Sequence, residues 1–183
     1  MSKPVKPCSL LWGKGPVKLD VFIEPTCPFC VKTLNKLMPL LALVGESRMT
    51  LEIHLHSQPW HIFSPVVVRA VLAAASLQGG KEQAWRVLKA VADHYEEFEP
   101  TDHASGPDMD VTPRQILQRV EDYSGVDVKK EFESDEVTQA IKRHARFSRQ
   151  NGVHVSPTFM VNGLIDGRFS SGEEIEKWAE RLV

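Results

Sequence analysis

Hydrophobic and polar residues alternate strictly from Val17 to Ile23. Val17, Leu19, Val21 and Ile23 take one face and Lys18, Asp20 and Phe22 the other, which is the period of a β-strand. Glu24-Pro25-Thr26 breaks the pattern, and Pro28 then opens a helix whose apolar positions (Val31, Leu34, Leu37, Met38, Leu41, Val44) recur at three- and four-residue steps. Pro39 falls inside that helix and is expected to kink it, and Gly45 ends it. Alternation returns over Thr50–His56, with Leu51, Ile53 and Leu55 inward. Strand, helix and strand in so short a stretch predict a right-handed crossover between parallel strands. A short strand over Cys8–Trp12 is a weaker expectation.

The middle of the chain reads as helices. Ser64-Pro65 looks like a cap and a first-turn proline for a helix over Val66–Gln78, stopped by Gly79-Gly80. A second helix spans Lys81–Phe98, with Ala84, Val87, Leu88, Val91 and Tyr95 on one side. Pro100–Asp110 is a polar loop. Thr112-Pro113-Arg114-Gln115 combines a capping box with a first-turn proline, so a helix runs to about Tyr123, and Gly125 stops it. Ser134 caps a further helix ending at Asn151-Gly152. The C-terminal third changes character. Thr158–Val161 and Leu164–Phe169 flank Asn162-Gly163, a strong hairpin signal, and Ser171-Gly172-Glu173-Glu174 reads as a capping box for a final helix bearing Ile175, Trp178, Ala179 and Leu182.

The 183 residues fit one domain spanning 1–183. With 22 Lys+Arg against 24 Asp+Glu, the net charge of −2 offers neither a basic nucleic-acid footprint nor a polybasic membrane patch. No apolar run is long enough to span a bilayer, and no secretory signal is seen, so the chain reads as cytoplasmic, or periplasmic if it is a processed form.

Of the three cysteines, at 8, 27 and 30, the informative pair is Cys27-Pro28-Phe29-Cys30. This spacing suits a redox dithiol or half of a zinc site, and two chance core cysteines are the bland alternative. Pro28 tolerates only the start of a helix, so Cys27 sits at or beside the N-cap and Cys30 three positions on, within disulfide reach. The unpaired first-turn amides and the positive end of the helix dipole favour the Cys27 thiolate. Cys27 is therefore the nucleophile and Cys30 the resolving thiol.

The same residues resemble the DsbA-like thiol–disulfide oxidoreductases of the thioredoxin superfamily. The match rests on strand–Cys27-Pro28-Phe29-Cys30–helix, a helical stretch, then Val155-Ser156-Pro157-Thr158-Phe159 leading into a hairpin and a last helix. It implies an α/β thioredoxin fold, a mixed sheet flanked by helices, with its core at 17–56 and 153–183 and an all-helical insertion at 57–152. It implies thiol–disulfide exchange with protein or peptide thiols and disulfides, a recycling redox partner, and no cofactor beyond the Cys27–Cys30 disulfide. By the same resemblance Pro157 is cis and lies beside the cysteines, and Ser156 presents its backbone to an extended substrate. Two positions depart from the family pattern. Val21 stands where a buried acid is common, leaving Glu24 or a water as proton acceptor for Cys30. Phe29 replaces the histidine of strongly oxidising members, which implies a less oxidising dithiol.

Parallel strands ending on one side place Gln58, Pro59, Trp60, His61 and Phe63 near Cys27. Trp60 and Phe63 are candidates to line a peptide groove, with Pro28 and Phe29, and His61 to aid proton transfer; loop packing under a helical cap is the alternative. His54, His56 and His61 are weighed as metal ligands and set aside, because zinc wants four ligands and there is no second cysteine pair. Two rival functions remain open. One is a glutathione-dependent transferase or isomerase of the kappa-like group, which retention of both cysteines opposes; the other is a non-enzymatic metal- or client-binding module. Cys8 is expected to be structural.

Overall fold

The computed structural model describes residues 8–182; the first seven residues and the last of the expected 1–183 domain lie outside the described residues. Strands β1 (Leu11–Gly13), β2 (Val17–Ile23), β3 (Met49–Leu55), β4 (Thr158–Val161) and β5 (Leu164–Ile165) form one sheet in the order β1-β3-β2-β4-β5. β2 and β3 are parallel, Val21 beside Ile53, and every other pairing is antiparallel. This is the mixed thioredoxin-type sheet. β1 extends the core N-terminally beyond residue 17, pairing Leu11 to Gly13 with Glu52 to Thr50. Gly15 permits that approach: a Cβ there would fall 1.9 Å from the Arg48 carbonyl carbon.

Among the described residues, seven α-helices pack around the sheet. They are α1 (Pro28–Val44), α2 (Ser64–Ser76), α3 (Gly80–Asp93), α4 (Pro113–Ser124), α5 (Lys129–Phe132), α6 (Asp135–Gln150) and α7 (Ile175–Glu180). Helices α2 to α6 occupy the predicted all-helical insertion between β3 and β4. α1 and α7 pack together, α1 touches β3 on one face, and α6 covers the other. Among the described residues no helix is long and apolar enough to cross a membrane.

α1 runs unbroken through Pro39. A mid-helix proline costs about 3 kcal/mol, which burial of the neighbouring Leu37, Leu40 and Leu41 outweighs at roughly 2 kcal/mol each. The Thr112–Gln115 capping box and the Ser134 cap form as expected, and Asn162 and Gly163 take φ of 50° and 88° to turn the hairpin.

Several boundaries differ from expectation. Phe63, not Ser64, is the N-cap of α2, because the Ser64 hydroxyl donates to Ser57 Oγ, 2.9 Å away. The Lys81–Phe98 helix stops at Asp93, and Tyr95–Glu97 form a separate turn, so Tyr95 leaves the buried stripe. β5 is two residues long. α7 begins after Glu174, because Glu173 turns back to accept the Ser170 N–H and pairs with Arg181 at 2.7 Å.

The sheet's second face is also buried. Phe22 joins Val153 and Met160 in a small cluster under Phe147 of α6, and its ring centroid lies 5.8 Å from that of Phe147. Asp20, 1% exposed, meets His54 Nε2 at 2.7 Å and Lys18 Nζ at 2.9 Å. Thus on the polar half of the β2 alternation Asp20 and Phe22 are buried, and only Lys18, its side chain 40% exposed, reaches solvent while pairing with Asp20.

Candidate active site

α1 starts where the sequence places it. Cys27 is the N-cap, with extended backbone (φ −85°, ψ 127°), and Pro28 occupies the first turn. The Cys27 carbonyl accepts the first helical hydrogen bond, from Val31 N–H at 2.9 Å. Both sulfurs face inward. Cys30 is fully buried, and Cys27 is 6% exposed, less open than its role as nucleophile suggested. Its cover includes the segment before β4: Cys27 Sγ lies 4.0 Å from the Ser156 carbonyl oxygen. The Ser156–Pro157 peptide bond is cis. Pairing of β2 with β4 (Phe22 beside Thr158) brings this turn to the dithiol.

The two thiols differ because their surroundings differ. Cys27 is held down at about 6, first by the hydrogen bond from the Cys30 thiol, then by the backbone N–H groups of Cys30 and Phe29 and the nearby His61, against the opposing cost of burial. Cys30 is pushed well above the ordinary thiol value, by burial first and then by the Cys27 sulfur. One additional donor reaches it: Glu24 N–H points at Cys30 Sγ, 3.3 Å away.

Glu24 is fully buried. Its Oε1 accepts from the Thr26 N–H at 2.8 Å and the Thr26 hydroxyl at 2.9 Å, while Oε2 has no hydrogen-bond partner among the described residues. Burial pushes the carboxyl up, and Ser64, Thr26 and His61 pull it the other way.

The loop after β3 arrives beside this centre. Gln58 is buried and donates to the His154 carbonyl at 3.2 Å, tying the loop to the segment that carries Ser156. His61 is buried and influences Cys27, whereas Trp60 is 49% exposed, its ring 6.2 Å from that of His61. Phe63 does not line a groove: it is buried in the main core as the α2 cap. Phe29 is 57% and Val155 61% exposed. The three histidines weighed together as ligands separate. His54 is bound to Asp20 under α6, His56 is half-buried beside His154 and Arg149, and His61 faces Glu99. In sequence, Glu99 reads only as part of the acidic stretch Glu96-Glu97-Phe98-Glu99 at a solvated helix end, yet its side chain is 10% exposed and faces His61; His103 comes from the polar loop that follows, and neither spacing nor periodicity marks either residue as a ligand. Cys8 is buried, as expected.

No protein-family model and no curated protein matches the chain. Solved structures do. A protein from Pseudomonas syringae, described as a candidate protein-disulfide isomerase, is 52% identical with a TM-score of 0.94, over 95% of this chain and 97% of that one. BdbD from Bacillus subtilis has a TM-score of 0.70 at 14% identity, over 97% and 94% of the two chains. DsbA2 from Pseudomonas aeruginosa has a TM-score of 0.65 at 15% identity, over 98% and 94%. At such identities the last two speak for the fold alone.

Proposed function

The chain belongs to the DsbA-like family of the thioredoxin superfamily, and on that premise we propose that it is a thiol–disulfide oxidoreductase exchanging disulfides with protein or peptide substrates through Cys27 and Cys30. One observation carries the reading: two sulfurs share a hydrogen bond at a helix N-terminus, one lowered to about 6 and the other raised. Two chance core cysteines have no reason to be split in this way.

In the reductive direction the Cys27 thiolate attacks one sulfur of a substrate disulfide. A Cys27–substrate bond forms, the substrate S–S bond breaks, and the released thiolate takes a proton. Cys30 then loses its proton and attacks Cys27 Sγ, which closes the Cys27–Cys30 bond and frees the second substrate thiol. The oxidative direction is the reverse. Electrons stay on sulfur throughout, so no cofactor enters the proposal. A partner dithiol or disulfide resets the pair.

Glu24 is the group proposed to accept the Cys30 proton, in place of an acid at Val21. Its backbone touches Cys30 Sγ, and burial makes its carboxyl a weaker acid than usual. Ser156 and Val155 are proposed to receive an extended substrate strand, the Ser156 carbonyl being aimed at Cys27. The exposed Phe29 and Trp60 extend an apolar surface for that strand. Pro157 holds the turn against the dithiol, and Pro28 fixes the helix start. A cytoplasmic setting belongs to the same proposal; a poise of about −220 to −320 mV there would keep most dithiols reduced and favour reductase or isomerase work. Insulin reduction by the intact chain and by Cys27→Ser tests the reading: turnover lost in the variant supports it, and full turnover rejects it.

A further inference from the structure

A second cluster of chemistry-bearing side chains lies beside the dithiol without taking part in sulfur exchange. His61, Glu99 and His103 each offer one ligand atom, all within 4.8 Å of one another. His61 Nδ1 stands 2.9 Å from Glu99 Oε2, and His103 Nδ1 stands 2.5 Å from Glu99 Oε1. His61 is only 3% exposed, yet its Nδ1 makes no hydrogen bond among the described residues despite that proximity. A neutral imidazole lone pair set against a carboxylate oxygen is repulsive. Something positive belongs between them, either a proton or a metal ion.

The geometry points to the metal: we infer that His61, Glu99 and His103 bind one zinc-like divalent cation. Two imidazoles and a carboxylate form a donor set that zinc accepts with one position left open. Tetrahedral bonds of about 2.0–2.1 Å separate ligand atoms by roughly 3.3 Å, so movements of about an ångström convert the present spacings into a coordination shell. The site is partly built. His61 is fixed in the core, Glu99 is nine-tenths covered, and only His103, about half exposed, has freedom to swing onto an incoming ion. Its loop is held by the Thr101–Ser105 bridge and by His103 N–H donating to the Pro100 carbonyl. Thr26 Oγ1, 3.4 Å from Glu99 Oε2, gives the carboxylate an outer contact one residue from the nucleophile. Of the three histidines weighed as ligands from the sequence, only His61 joins this cluster; His54 is bound to Asp20, and His56 lies beside His154 and Arg149.

The inference does not depend on the exchange reading, and its test removes the thiols. Zinc is titrated by calorimetry, with a competing chromophoric chelator, into the full chain carrying Cys27→Ser and Cys30→Ser. One equivalent bound, weakened more than about tenfold by adding His103→Ala or Glu99→Gln, is the expected result. His103 is exposed and Gln keeps the shape of Glu, so neither change threatens the fold, which circular dichroism checks. Zinc bound only while the two cysteines are present overturns the inference. So does the absence of binding, or binding that neither added substitution weakens.

Discussion

Cys27 Sγ lies 4.0 Å from the carbonyl oxygen of Ser156, a residue 129 positions further along the chain. This contact joins the two halves of the candidate site. One half is the start of α1, which supplies the thiols, and the other is the turn before β4, which supplies backbone for a substrate strand. β2 links them, parallel to β3 and antiparallel to β4.

The lowered Cys27 value predicts a pH profile. Alkylation of the reduced protein by iodoacetamide, followed at Cys27 by mass spectrometry, should be half-maximal near pH 6. Cys30→Ala removes the largest stabilising contact, so the midpoint should rise by more than about one unit. The sign for stability follows. Between about 6 and the ordinary 9.0, the unfolded chain holds a proton that the native state lacks. Cys27 therefore adds stability that grows with pH across this window, is complete above it and is lost as pH falls through 6. The melting temperature of the reduced protein relative to Cys27→Ser should rise accordingly. A midpoint near 9 contradicts the assignment.

Phe29→His should make the dithiol more oxidising. The exposed Phe29 ring cannot stabilise a thiolate by charge, whereas a protonated imidazole beside the Cys27 sulfur favours the reduced state. For a two-electron couple about 1.4 kcal/mol corresponds to 30 mV, so a rise of tens of millivolts against glutathione is expected. An unchanged or lower potential rejects this.

Glu24→Gln should leave the first attack by Cys27 nearly intact and slow its resolution by Cys30. General-base assistance is typically worth on the order of 10²-fold. Stopped-flow measurement of the two phases separates them, and equal slowing of both points to a structural role instead.

How much of this was legible in the sequence depended on whether the signal was local. Cys27-Pro28 fixed the helix start because proline tolerates only the first turn, and Asn162-Gly163 marked the hairpin because both residues take positive φ. The His61–Glu99–His103 cluster was not legible, because it joins two loops with no periodicity. The buried Asp20–His54 pair was missed for a different reason. Alternation in β2 says that two faces exist, but only α6 folding across the sheet makes the polar face an interior. The cap of α2 was misassigned because Ser64 has a tertiary partner, Ser57, that competes for its hydroxyl.

Asp20→Asn tests that interior. Burial alone would raise the Asp20 carboxyl, but the contacts from His54 and Lys18 outweigh it and hold the group below its ordinary value. Loss of the charge leaves a buried network unpaired, at about 3 kcal/mol near neutral pH. The ionised group contributes its stability above the unfolded carboxylate value and loses it as pH falls through the native one. The urea-midpoint difference between wild type and Asp20→Asn should therefore shrink in acid. A difference that stays constant with pH speaks against the charge pairing.

The most direct measurement is a trap. The Cys30→Ser protein, incubated with a disulfide-bonded peptide and digested under acid, should carry one peptide adduct, and mass spectrometry should place it on Cys27. Failure to form any adduct, or an adduct on Cys8, would contradict the assignment of Cys27 as attacking thiolate and Cys30 as the group that releases it.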